Sequence, residues 1–166
     1  MNSIIKSQAK LLFVLAYFLF SFVAAGQQQT GLLVISKFVD GDTFWVTNED
    51  GVDEKIRLIG IDTPEARRTG RTEVEFFGKE ASNYVKEFLC GRKVRLVFDV
   101  GKYDRYKRTL AYVYLDDGTF LNAHLVEKGY ASAATFPPNV KYSDYFKKLE
   151  REARKRKLGM WGEGNF

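Results

Sequence analysis

A small five-stranded β-barrel carrying three helices, an α+β arrangement, is the fold this sequence predicts. Three observations predict it. Five short segments rich in β-branched and aromatic residues are punctuated by Gly, Asp and Asn. One amphipathic helical stretch falls after the third of them, and two further helical stretches follow the fifth. That order of elements is the pattern of a barrel of the OB type. The chain has 166 residues, enough for one domain.

Leu32 to Val39 is an apolar-rich first strand, and Asp40-Gly41-Asp42 is the turn into a second, Thr43 to Thr47. Asn48 to Gly51 is another turn, and Glu54 to Ile61 is the third strand of the meander. Ala66 to Thr72 is a loop holding Arg67, Arg68 and Arg71. From Glu73 to Leu89 the apolar residues Val74, Phe77, Ala81, Tyr84, Val85 and Phe88 recur at helical spacing, and Gly91 ends the run. Lys93 to Val97 and Thr109 to Leu115 are the fourth and fifth strands, the latter closed by Asp116-Asp117-Gly118. Leu121 to Lys128 is a short helix stopped by Gly129, and Phe136 to Asn139 is a loop. Ser143 is the expected cap of a last helix running to Leu158, with Gly159 as its stop.

The first 26 residues are expected to be a signal peptide, leaving 27–166 as the domain. Lys6 and Lys10 form a positive start, Leu11 to Val23 an apolar run, and Val23-Ala24-Ala25-Gly26 the small residues of a cleavage site. The alternative is an uncleaved anchor, but thirteen apolar-run residues fall short of the ~20 that span a bilayer. The expectation is therefore an exported protein, secreted or periplasmic, monomeric and with no stable membrane association after cleavage. Losing Lys6 and Lys10 takes the formal charge from +5 to +3. Lys141 to Lys157 alone carries eight basic against three acidic residues, so acidic groups gather elsewhere in the domain. Such a run reads as a solvated helix face.

Composition removes several chemistries. Cys90 is the single cysteine and His124 the single histidine, which excludes an internal disulfide, a tetrahedral zinc site of N and S ligands and a two-histidine acid–base ribonuclease. Cys90 ends an apolar helical run and is expected to be a buried small hydrophobe. What remains is chemistry on carboxylates and arginines. Asp40-Gly41-Asp42-Thr43 is by itself an ordinary turn. Arg57 to Glu65 reads Arg-Leu-Ile-Gly-Ile-Asp-Thr-Pro-Glu, an apolar strand with an arginine, ending in two carboxylates around a Thr-Pro that cannot continue a sheet regularly. Asp62, the Thr63 carbonyl and Asp42 make an all-oxygen set suited to Ca2+ or a similar hard cation, with Glu65 as a further ligand or a base. Asp104-Arg105-Tyr106-Lys107-Arg108 sets cations and a tyrosine before the last strand, with Arg105 and Tyr106 as candidate substrate contacts.

From about Leu32 to Trp161 the chain resembles the thermonuclease (staphylococcal-nuclease-like) family. The resemblance rests on Asp-Gly-Asp-Thr at 40–43, Arg-Leu-x-x-Ile-Asp-Thr-Pro-Glu at 57–65, Gly-Lys-Glu-Ala at 78–81, Asp-Arg-Tyr-x-Arg at 104–108 and Leu-Gly-Met-Trp at 158–161. It implies an OB barrel holding one Ca2+, with Asp42 and Asp62 as carboxylate ligands and Thr63 ligating through its carbonyl. Glu65 would orient or deprotonate the attacking water, and Arg57 and Arg108 would bind the scissile phosphate. The implied activity is an endonuclease acting on DNA and RNA and leaving 3′-phosphate ends. The alternative from another class is a non-catalytic nucleic-acid-binding barrel; retention of Asp42, Arg57, Asp62, Glu65 and Arg108 favours the enzyme. The family usually has Gly where this chain has Lys107, and a positive φ there would cost lysine about 1 kcal/mol. Arg57 and Asp62 are five apart, so a regular strand would send them to opposite faces. The strand must therefore bulge or end near Gly60.

Overall fold

The structure, a computed structural model, describes residues 28–68 and 73–162. The expected signal peptide and Arg71 lie outside the described residues. In chain order the strands are β1 (Leu33–Asp40), β2 (Thr43–Thr47), β3 (Asp53–Leu58), β4 (Ile61–Asp62), β5 (Lys93–Val97), β6 (Thr109–Leu115) and β7 (Ser132–Ala133). The helices are α1 (Gly78–Leu89) after β4, α2 (Leu121–Glu127) after β6 and α3 (Ser143–Lys155) after β7, with a 3-10 turn at Gly159–Trp161. Five strands close a barrel in the order β1-β2-β3-β6-β5, with β3 and β6 parallel and every other pair antiparallel. The expected five-stranded barrel with three helices is therefore the observed architecture. Two register shifts in β1, between Ile35 and Lys37 and between Phe38 and Asp40, let that strand curl far enough to meet both neighbours.

Alternation along the strands fills the barrel. Phe44 and Val46 of β2, Ile56 and Leu58 of β3, Val94 and Leu96 of β5 and Ala111 and Val113 of β6 are all buried. Full burial of each larger aliphatic or aromatic among them contributes roughly 1.5–3 kcal/mol. α1 lays Ala81, Val85 and Leu89 on the barrel, four residues apart and so on one stripe. Among the described residues no helix is long and apolar enough to cross a membrane.

Several boundaries differ from expectation. The third strand is broken in two: β3 ends at Leu58, and β4 pairs with β7 in a small separate sheet. α1 begins at Gly78 rather than Glu73, because Phe77 stands at φ 65 and the Glu75 N–H donates to the Glu65 carbonyl at 2.9 Å. Ser143 is the first residue of α3 and not its cap, and its hydroxyl is shared with Thr135 at 2.6 Å. Cys90 is exposed, contrary to the expected burial. The chain leaves α1 in extended conformation at Cys90 (φ −60, ψ 122), which ends the stripe that buries Leu89. The basic face of α3 is exposed as expected, with Arg154 paired to Glu150 and Lys155 to Glu152.

Two polar groups of the helical layer were not assigned structural roles from sequence. Asn122 is completely buried in α2; its amide donates to the Ile59 carbonyl at 2.8 Å and its side-chain oxygen accepts from the Val113 N–H at 2.9 Å. Asn122→Leu leaves both backbone groups unpartnered at about 1–3 kcal/mol each. The expected outcome in urea unfolding is a lowered midpoint with the slope retained.

His124 stacks on Phe88 at 4.5 Å between centroids and shares a 2.7 Å hydrogen bond with the Tyr84 hydroxyl. Burial, reinforced by Lys128 and Arg92, holds its imidazole below the ordinary value. A histidine depressed in the folded state gives stability that is complete above about pH 6.5, its unfolded value, and is lost as pH falls through the folded one. The melting temperature of the wild type is therefore expected to fall more between pH 7 and pH 5 than that of His124→Gln, measured side by side. Equal slopes would show that the imidazole contributes nothing.

Candidate active site

The three motif segments meet at one end of the barrel, and the corner after β3 is what brings them there. Gly60 has φ +77, and a Cβ on it would stand 2.7 Å from the Phe146 ring, so both the turn and the packing of α3 require glycine. The corner resolves the parity conflict: β3 stops, the chain turns, and Asp62 re-emerges on the side to which Arg57 points. The turn between β1 and β2 closes onto the same place. The Leu58 N–H donates to the Asp42 carbonyl at 3.0 Å and the Thr63 N–H to Asp42 Oδ2 at 3.3 Å. Gly41 lies so close to Thr63 that a Cβ would come within 2.8 Å of its hydroxyl. The two loops are thus pressed together, side chain on backbone.

Arg57 is the centre of the cluster. Its Nη1 pairs with Asp42 Oδ2, and its Nη2 donates to Asp62 Oδ1 at 2.6 Å and to the Ile61 carbonyl at 3.3 Å. The side chains of Arg57 and Asp42 are 12% and 10% exposed, against 59% for Asp62, so the fork is held from the protein side and opens to solvent on the other. Asp42 Oδ1 also accepts from the Thr43 hydroxyl at 2.9 Å. Burial lowers the Arg57 guanidinium from its ordinary value while Asp62 holds it up, and Arg108 pushes it down again. Arginine nonetheless stays charged.

Glu65 sits on a loop clamped by its backbone. Its N–H donates to Glu75 Oε2 at 3.2 Å, its carbonyl accepts from the Glu75 N–H, and Gly78 packs on it so closely that a Cβ would lie 2.2 Å from that carbonyl oxygen. Burial raises the Glu65 carboxyl above the ordinary range, and Asp40, Asp62 and Glu75 raise it further against the pull of Arg57. One arginine therefore stands among several carboxylates.

Arg108 enters from the loop before β6. Asp104 accepts from its backbone N–H at 2.9 Å, its Nε at 2.7 Å and the Tyr106 N–H at 2.8 Å. Burial pushes Asp104 up, but these bonds outweigh it and hold the carboxyl below its usual range. Lys107 has φ 60, the left-handed conformation that favours glycine, yet the turn is closed by the Lys107 N–H on the Asp104 carbonyl at 3.0 Å. Arg105 and Arg108 both lie over the Tyr106 ring, at 4.8 and 5.5 Å. Arg57, Arg105, Tyr106 and Arg108, with Tyr103 and Phe136, line one cleft of about 530 Å³. Arg57 is thus the wall between carboxylate cluster and cleft.

All eight sequence-predicted site residues lie at this end: Asp42, Arg57, Asp62, Thr63 and Glu65 in or beside the cluster, Arg105, Tyr106 and Arg108 on the cleft. Not assigned from sequence were Asp40 and Glu75, which act on Glu65, Asp104, which clamps Arg108, and Phe136 on the far lip. Of these, Asp40 and Asp104 stand inside the quoted motifs, and Asp104 lies four residues ahead of the arginine it holds.

The pattern of the family described as "Staphylococcal nuclease homologue" matches residues 55–163. The chain belongs to the staphylococcal nuclease homologue family. It is 43% identical over 128 residues to a thermonuclease of Staphylococcus intermedius, covering 77% of this chain and 74% of that protein. It is 40% identical to a thermonuclease of Staphylococcus hyicus, covering 76% of this chain and 73% of the relative. It is also 40% identical to the SPbeta prophage-derived endonuclease YokF of Bacillus subtilis, covering 81% of this chain but 45% of that longer protein. Within this staphylococcal nuclease homologue the family match takes in Arg57, Asp62, Thr63, Glu65, Arg105, Tyr106 and Arg108, and Asp42 precedes it.

Proposed function

We propose that this chain is an exported, Ca2+-dependent endonuclease that hydrolyses phosphodiester bonds of DNA, RNA or both and leaves 3′-phosphate ends. It is a hydrolase of the nuclease class. The observation that carries the finer reading is the Arg57 fork, held between Asp42 and Asp62 on the wall of a cleft that also presents Arg108. A phosphodiester gains charge on its non-bridging oxygens as it is attacked, and two planar guanidiniums can bind those oxygens bidentately. Arg57 is neutralised by carboxylates until a phosphate arrives and draws the fork toward the cleft.

The donor set fits a hard divalent cation: Asp42, Asp62 and the Thr63 carbonyl are oxygen ligands of two adjoining loops, joined by the Thr63 N–H on Asp42 Oδ2. Bound there, Ca2+ would supply charge stabilisation on the phosphate and would make a water more acidic by lowering its pKa. Glu65 takes a proton from the attacking water, the water oxygen bonds to phosphorus, and the bond to the 5′-oxygen breaks, the departing oxygen gaining a proton from solvent to leave a 5′-hydroxyl beside the 3′-phosphate. Tyr106 and Arg105 hold the adjoining nucleotide. The signal-like residues 1–26 support export, and a monomer suffices because every role falls on one chain.

The test is digestion of single-stranded DNA with Ca2+ and with chelator. Shortened products ending in 3′-phosphate are expected in Ca2+ alone. Intact DNA in both, with tight binding in both, would mark the protein as a nucleic-acid-binding barrel instead.

A further inference from the structure

The outer face of the barrel carries a second group of residues in register with Arg57. Residues paired across neighbouring strands share a face. One row of such pairs joins Asp40 to Thr43 and Thr43 to Arg57; the next joins Lys37 to Trp45 and Trp45 to Lys55. Phe44 and Val46, on either side of Trp45, are fully buried, so the indole faces outward. Two residues of strand separate the rows, ~7 Å.

Trp45 thus lies between two lysines, with Lys55 Nζ 6.0 Å from its ring centroid. The hydrogen bonds of the β3 carboxylates go to neutral groups and not to Lys55: Asp53 accepts from Thr47, and Glu54 accepts from Asn48 and Thr109. Lys37 is exposed, and Trp45 and Lys55 are half-buried, so two ammoniums and part of an indole ring reach solvent side by side. This is the combination that binds a single nucleic-acid strand, with bases stacking on the ring and phosphates meeting the cations. The row is also continuous with the candidate active site. Arg57 pairs with Leu110 on its β6 side, where the cleft opens, and with Thr43 on its β2 side, toward Trp45.

We propose that Lys37, Trp45 and Lys55 form a nucleotide subsite for the strand that continues past the scissile phosphate on the side away from the Tyr106 cleft. A base stacks on the indole and adjoining phosphates pair with the two ammoniums. The proposal rests on the nuclease reading only in placing the scissile phosphate at Arg57.

The test measures binding in chelator, where the oligonucleotide stays intact, comparing oligothymidylates of about three and about twelve nucleotides. Trp45→Ala is expected to cut the affinity advantage of the long strand by about 5- to 100-fold, the worth of one stacked base. Lys37→Gln with Lys55→Gln, which keeps the stems of the exposed Lys37 and the half-buried Lys55, should lower the slope of log affinity against log salt for the long strand by roughly 1.4, about 0.7 for each lost phosphate contact. With Trp161→Phe as background, indole emission reports Trp45 alone, and the long strand should quench it where the short one does not. A long-strand advantage and salt slope equal to wild type in these variants would overturn the subsite. Absence of cleavage by wild type in Ca2+ would defeat the nuclease reading while leaving these binding results to stand or fall separately.

Discussion

Glu65→Gln is expected to bind oligonucleotide about as well as the wild type and to turn over roughly 10²–10⁴-fold more slowly in saturating Ca2+, the usual worth of a positioned base. The substitution keeps the side chain's length and one oxygen, and the loop does not depend on the carboxylate for its shape. It is fixed by backbone groups of Glu65, bonded to both the N–H and the side chain of Glu75, and by the close approach of Gly78. Removing the charge also relieves repulsion, because Asp40, Asp62 and Glu75 all disfavour the ionised form. The melting temperature should therefore hold or rise while turnover collapses. Turnover near the wild-type value in a pure preparation would remove Glu65 from the mechanism.

The barrel strands were legible because each is long enough to show alternation against a buried face: Phe44 and Val46, or Ala111 and Val113, declare their side within one segment. β4 and β7 were not, since two residues cannot display a period of two, and their pairing joins Ile61–Asp62 to Ser132–Ala133 across about half the length of the domain. Val74 and Phe77 sit at helical spacing, yet the segment before Gly78 is tied to the Glu65 loop, and that long-range contact overrides the local pattern. Ser143 and Cys90 mislead for a similar reason. A hydroxyl near a helix start suggests a cap, and a cysteine after an apolar run suggests burial, but each depends on one turn of backbone that the sequence leaves open.

The site was legible as motifs and obscure as a machine. Asp42, Arg57, Asp62, Thr63 and Glu65 stand in two short segments, and the parity conflict between Arg57 and Asp62 already demanded a corner at Gly60, which is where it lies. The supporting residues were harder to see. Glu75 grips Glu65 across ten residues with no periodicity to announce it. Lys107 was expected to strain its turn, and it does adopt φ 60. The three bonds Asp104 accepts and the Lys107 N–H on its carbonyl show how Arg108 keeps a defined place on the cleft despite that conformation.

Arg57→Lys is the second substitution with a large expected effect, and it separates a phosphate-binding arginine from a structural one. Arg57 lies on the outer face of β3, between the inward-facing Ile56 and Leu58, yet its side chain is largely buried there and needs a carboxylate partner. It has two, and the fork reaches Asp42 with one nitrogen and Asp62 and the Ile61 carbonyl with the other. A lysine ammonium is a point charge that can keep the buried partner, Asp42, while Asp62, already mostly exposed, returns to water at little cost. The fold should therefore survive with a modest drop in melting temperature. What lysine cannot reproduce is a planar pair of donors on the non-bridging oxygens of a phosphate. Turnover is expected to fall by roughly 10²–10³-fold, the cost of losing one positioned donor to a developing charge. Melting temperature and turnover measured on the same preparation decide the matter. If the unfolded fraction at the assay temperature accounts for all of the lost activity, Arg57 is a buried brace for Asp42 and Asp62, and the phosphate must be held by Arg108 and the cleft without it.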